Sequence, residues 1–233
     1  MKLKPLSLLL LTAASAPMMA QAAESPHSFT GNLGLYSDYA FRGVSQTDEN
    51  PAIQGGFDYA HSSGFYLGTW ASNVTEKFLN GANIEMDFYG GYAGKVGDLG
   101  YNVGLLQYYY PGQFSGLDID TLEGYAGVTY KWFGLKASYS FTDYFGFTDS
   151  DGTVYWDASF NYELPAAVML GLHYGYTAGE GDQPDYQDYK VSLAKEFGGF
   201  NFGVAYVGTD DDGEDFAGQY ADDRFIVSIS KTF

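Results

Sequence analysis

Cysteine is absent from the 233 residues, lysine and arginine number 11 against 29 acidic residues, and proline occurs seven times. Each shortage excludes something. Without cysteine there can be no disulfide, no thiolate metal site and no lipid-bearing N-terminal cysteine. A formal charge of −18 and a pI near 4.2 exclude nucleic acid as a partner, because gripping phosphates takes lysine and arginine that displace counterions. Charged residues are scarce at 17%, while aromatics reach 18%, too many to stay solvated in a disordered chain. Long apolar runs are missing too. Beyond residue 22 nothing approaches the ~20 apolar residues of a membrane helix.

What is present begins with an export signal. Lys2 and Lys4 precede the apolar run Leu6–Leu11, which fades through alanines to the small residues Ala20-Gln21-Ala22. Basic, apolar and small regions in that order predict a secretory signal peptide over 1–22, since the apolar run is too short to span a bilayer. Its removal would take two lysines and no acid, leaving 9 basic residues against 29 acidic ones in a domain over 23–233.

From Phe29 onward the dominant period is two. Val168, Leu170, Leu172, Tyr174 and Tyr176 share one face of a segment, and Met169, Gly171, His173, Gly175 and Thr177 the other. Successive side chains of a strand point to opposite faces, so each segment carries one apolar face and one small or polar face. The pattern predicts twelve strands, over 29–42, 52–61, 65–74, 84–94, 99–110, 121–131, 135–143, 153–163, 168–177, 188–197, 200–208 and 222–233. Most are near the ~10 residues with which a tilted strand crosses a bilayer. Short connections alternate with long ones along the chain. An even strand count with short turns at one end and long loops at the other predicts an all-β fold, a transmembrane antiparallel up-and-down barrel. The chain closes on Phe225, Val227, Ile229 and Phe233 at alternate positions, an ending like the one recognised by the barrel-assembly machinery of a Gram-negative outer membrane. Lys231 departs from that pattern but can extend its ammonium to headgroups. A soluble β-sandwich burying the same apolar faces is the competing fold.

Residues 37–47 read Ser-Asp-Tyr-Ala-Phe-Arg-Gly-Val-Ser-Gln-Thr, followed by Asn50-Pro51-Ala52-Ile53-Gln54-Gly55-Gly56-Phe57-Asp58-Tyr59 and, from Ser63 to Asn73, Ser-Gly-Phe-Tyr-Leu-Gly-Thr-Trp-Ala-Ser-Asn. Glu85-Met86-Asp87-Phe88-Tyr89-Gly90-Gly91-Tyr92 and Tyr108-Tyr109-Tyr110-Pro111-Gly112 continue the series. It resembles the TorF-like family of bacterial outer-membrane porins, an exported family without an assigned function. The resemblance implies an outer-membrane barrel and solute passage, and it supplies no catalytic residue and no settled substrate.

With the apolar face toward lipid, the other face lines a lumen. Inward glycines such as Gly34, Gly68, Gly91, Gly104 and Gly175 either leave room for a narrow pore or lie beside inward tyrosines such as Tyr36, Tyr89 and Tyr125. Arg42 and Arg224, on the first and last strands, are expected to meet when the barrel closes, with Lys190 two strands away. Glu85, Asp87, Glu123 and Asp157 lie largely across the bore, and Asp38, Asp58, Lys136 and His173 are further lumen-facing groups. Two arrangements are open: a constriction with basic and acidic walls that filters polar solutes, or direct pairing that shuts the lumen. The long loops hold 15 acidic residues and one basic residue, Lys77, which predicts a modest preference for cations. Partners are then outer-membrane lipid and lipopolysaccharide, the assembly machinery through Phe233, and small polar solutes, with no cofactor and no metal. Enzymatic chemistry has thin support. A barrel hydrolase would need His61 or His173 as its base, and neither has a convincing nucleophile in the sequence. Tyr39, Tyr59, Trp132 and Tyr162 are expected to face outward as headgroup girdles. The sequence therefore points to a non-enzymatic diffusion channel, with a closed structural or surface-interaction barrel as the rival.

Overall fold

The computed structural model describes residues 25–233; the expected signal peptide lies outside them. Twelve antiparallel strands close into one barrel: β1 (His27–Tyr36), β4 (Ala52–His61), β5 (Phe65–Asn73), β6 (Ile84–Val96), β7 (Leu99–Tyr109), β8 (Thr121–Tyr130), β9 (Phe133–Ser140), β10 (Val154–Leu164), β11 (Val168–Ala178), β12 (Tyr186–Phe197), β13 (Phe200–Thr209) and β14 (Arg224–Thr232). Each strand pairs with its neighbour in sequence, and β14 pairs with β1 to close the ring. Between β1 and β4 a two-stranded hairpin, β2 (Ala40–Phe41) and β3 (Val44–Ser45), stands apart from the wall.

The period-two reading of the wall is correct. Phe29, Leu33, Leu35, Phe57, Leu67, Val103, Leu135, Val191, Phe202 and Val227 are all exposed on the outer surface. So much apolar area facing outward from a closed sheet is what hydrocarbon requires, whereas a sandwich would have buried it. Trp132, Phe133, Phe197 and Phe233 cluster outside at the turn end, and Tyr109, Tyr139, Phe141 and Phe225 outside at the loop end. The turns are as short as Gly198-Gly199, where φ values of 62° and 80° give the type I′ geometry that matches strand twist.

The first strand differs from its expected span. It ends at Tyr36, and residues 38–47 turn inward, each buried or half-buried. Backbone bonds between β14 and the first strand run from Phe233 to Val227 and stop there, so Arg224 stands beyond the point where the chain has turned away. The cause is local. Arg42-Gly43 takes φ of 47° and 83°, again type I′, and this reverses the chain into a hairpin where a continuous strand was expected. A second difference lies in the acidic stretch 210–215, expected as plain loop. It forms helix α1 (Asp211–Ala217), with the Asp210 carboxylate accepting from the Gly213 N–H and Asp211, Asp212 and Glu214 in the first turn.

Candidate functional site

The bore divides into two halves. Toward the turn end the inward residues are small and polar, including Thr30, Asn32, Ser159, Asn161, Gly171 and Ser192, and they remain half-accessible to solvent inside the barrel. Toward the loop end the inward side chains are buried, and the hairpin fills the space between them.

Arg42 sits at the hairpin tip and crosses to the wall opposite β1. Its Nη2 lies 2.8 Å from both carboxylate oxygens of Glu123 on β8, and its Nη1 donates to the Tyr144 hydroxyl at 2.8 Å. The guanidinium stacks 4.0 Å from the Tyr155 ring centroid and 4.8 Å from that of Phe41. Burial pushes the Tyr144 phenol up to about 12 despite the nearby Arg42, so it stays neutral and can accept this bond. Gly43 is pressed against Asp188, Thr209 and the backbone of Gly208, where any Cβ would collide.

The base of the hairpin is fixed by Asp38. One carboxylate oxygen accepts from Ser45 Oγ and Thr47 Oγ1, each at 2.7 Å, and the other from Arg224 Nη1 at 3.2 Å. Arg224 also donates from Nη2 to the Tyr220 carbonyl at 2.7 Å. One arginine thus belongs to the plug and one to the wall, and each meets a carboxylate on the other part. The expectation that Arg42 and Arg224 share one basic wall is overturned, because the chain bends inward at 37 and delivers Arg42 to the acidic side. Tyr39, expected in the outer girdle, is buried for the same reason and donates to Glu85 Oε1 at 2.8 Å. Tyr110 donates to the other oxygen of Glu85 at 2.8 Å. Asp87 is buried two residues along β6, with Oδ1 lacking a hydrogen-bond partner.

A second cluster lies beneath the hairpin. His173 Nε2 is 2.8 Å from Asp188 Oδ1 and its Nδ1 is 3.3 Å from Asp157 Oδ1; Tyr155 donates to Asp188 Oδ2 at 2.9 Å. Lys136 reaches Asp157 at 3.9 Å, and Lys190 lines the same cavity of about 60 Å³ with Arg42 and His173. On the facing side Asp58 accepts from Tyr89 at 2.6 Å.

All eleven charged or imidazole positions singled out in the sequence face the interior, and most are drawn into direct pairs. Asp188, Tyr110, Tyr144 and Tyr155 were not singled out. Asp188 shares its strand face with Lys190 two residues on, so its parity could have found it; Tyr144 lies in a loop where no period applies. The glycine question also has an answer. Rings of Tyr36, Tyr66, Tyr89 and Tyr125 lie across Gly34, Gly91, Gly68 and Gly104, so these glycines seat aromatic rings and do not widen a pore.

Residues 20–233 match a family model described as a bacterial protein of unknown function, Gcw_chp. The chain belongs to this family. The match agrees with the expected family without an assigned function, though it carries no TorF-like name. A search of the curated proteins finds no match. Among solved structures, the Gcw_chp barrel is similar to the KdgM porin in complex with disordered oligogalacturonate, with a TM-score of 0.55 at 9% identity over 88% of this chain and 98% of that one. It is similar too to the NanC porin, with a TM-score of 0.54 at 12% identity over 88% of this chain and 98% of that one. At these identities the likeness is one of fold, a twelve-stranded porin-type barrel.

Proposed function

We propose that this Gcw_chp protein is an outer-membrane, porin-like channel for small hydrophilic solutes, held at low conductance by the inward hairpin 37–50. The observation that carries the reading is the pairing of an outward apolar surface with an inward polar one on a closed barrel. Charges inside a membrane span are costly unless they meet water or a partner, and the two halves of the bore supply one each. Short turns then face the periplasm and long loops the outside. The hairpin is set against the wall through ionic, hydrogen-bonded and ring contacts, with no covalent link, so its withdrawal would join the solvated half to the outside.

The acidic loops favour cations at the mouth, and this bears on the KdgM comparison. An oligogalacturonate carries carboxylates, and a mouth with Lys77 as its one basic loop residue would repel it. A non-enzymatic role is supported by the histidines. His173 is enclosed by Asp157, Asp188 and Tyr155, and the hydroxyl at His61 belongs to Ser63 in a turn, 2.6 Å away. A shut structural barrel is the second reading, favoured by the two buried ion pairs that fix the hairpin.

Planar-bilayer recording of the folded protein tests both. Small, infrequent cation-selective openings that become larger when the hairpin is removed support the channel. Silence both with and without the hairpin would leave only the shut barrel.

A further inference from the structure

Above the hairpin, the long loops line a half-open pocket of about 400 Å³. We propose that it is a binding site for a small, neutral aromatic molecule taken from outside the cell, a role distinct from solute passage through the bore.

The lining comes from six separate segments, one of them Tyr186 at the start of β12. Phe41 and Val44 of the hairpin form the floor, Phe78 and Leu79 one side, and Ile119, Phe145 and Phe216 of α1 the others. These rings already meet one another edge-on or tilted. Phe41 and Phe145 are 5.5 Å apart, Tyr144 and Phe145 4.6 Å, and Phe147 and Phe216 5.6 Å. A flat guest can add a further edge-on or offset contact to such a cluster.

The size is that of a ligand site, since pockets for small molecules run from about 300 to 1,000 Å³ and are mostly apolar with a few polar groups. An aromatic concavity at a mouth that is otherwise acidic and hydrated is unfavourable to leave filled with water.

The polar groups present decide the chemistry of the guest. Asn80 Nδ2 already donates to the Leu117 carbonyl at 2.8 Å, and Gln46 Nε2 to the Val44 carbonyl at 3.0 Å. Lys77, the basic residue of the lining, is exposed and tied to Asp48 at 2.6 Å. Lys77 therefore already faces an acid, and the surrounding loop acids oppose a carboxylate guest. An anionic amphiphile is disfavoured on both counts, and with no acid among the described lining residues nothing inside the pocket pairs with a cation, which leaves a neutral ring system.

The test is a binding measurement on the full barrel in nanodiscs, so silence in a bilayer recording would not decide it. Indole is the neutral probe, octanoate the anionic one, and empty nanodiscs report partition into lipid, all read by saturation-transfer NMR and calorimetry. Saturable indole binding is expected, at least tenfold tighter than octanoate and weakened at least tenfold by Phe78→Asp. Phe216→Asp should act alike; both residues lie outside the barrel strands, and heat-modifiable gel mobility confirms that each variant folds. Indole uptake no greater than that of empty nanodiscs, or unchanged in both variants, would overturn the site. Octanoate binding as tightly as indole would overturn the neutral aromatic class.

Discussion

The two halves of the bore share the same twelve strands and the same alternation, yet they use the inward positions in opposite ways. Near the turns, small and polar residues keep the lining in contact with solvent, and at mid-barrel, below the hairpin, the Lys136–Asp157 pair is loose with its lysine 30% exposed. Near the loops, the inward positions carry tyrosines and carboxylates, and the chain adds a hairpin whose Arg42 is buried against Glu123. The difference is one of dielectric. Charges touching water are screened and bind weakly, while charges taken out of water hold only when each has a partner. The same ion-pair chemistry is therefore weak where water reaches a partner and structural where the hairpin excludes it.

The largest expected effect comes from erasing the difference. Replacing Ala40–Ser45 by a two-glycine link removes Arg42 and the ring of Phe41 while leaving all twelve wall strands intact. Conductance in planar bilayers should rise severalfold and lose its closed intervals. An unchanged current would mean that the hairpin does not limit passage.

The next test sets one ion pair against the other. Arg42→Ala leaves Glu123 buried without its counter-charge, a change that typically costs about 3–5 kcal/mol. That cost should appear as faster hydrogen exchange over 38–48 and as new protease cuts in the hairpin. Lys136→Ala breaks a 3.9 Å pair whose lysine is 30% exposed, and should cost about 0–1 kcal/mol in urea unfolding. Equal effects from the two variants would show that the halves do not differ as described.

How far the sequence discloses this follows from where periodicity applies. Residues of the wall obey a two-residue alternation, so their inward or outward direction could be read from Val168–Thr177 or Val154–Glu163 without coordinates. Parity also located Glu85, Asp87, Glu123, Asp157, Lys190 and Arg224 inside the barrel. It failed at Tyr39, and it put Arg42 inside but on the wrong wall, because it was carried past Tyr36, where the chain had left the sheet. Arg42-Gly43 was the available clue, since a residue-glycine pair between short apolar stretches is a hairpin turn. Arginine is not a favoured left-handed residue, and at a buried tip its contacts with Glu123 and Tyr155 offset that cost. The aromatic pocket was beyond reach altogether, as it is assembled from loops that share no period and meet only in three dimensions.

The smallest expected effect concerns the glycines, and it separates positions that look alike in sequence. Gly68 and Gly127 both face inward from mid-strand. The ring of Tyr89 lies directly over Gly68, and its hydroxyl bonds Asp58 at 2.6 Å. Gly68→Ala forces that ring aside and should destabilise the barrel by about 1–3 kcal/mol, the usual range for an overpacked site. At Gly127 an added Cβ would meet the Leu135 carbonyl and the Lys136 side chain at 3.4 Å, which is ordinary contact. Gly127→Ala should stabilise the strand by about 0.5 kcal/mol through backbone entropy alone. Urea unfolding of the two variants side by side reads the contrast. If Gly68→Ala proves as harmless as Gly127→Ala, the tyrosine is not seated on its glycine, and space at that level of the bore belongs to solvent after all.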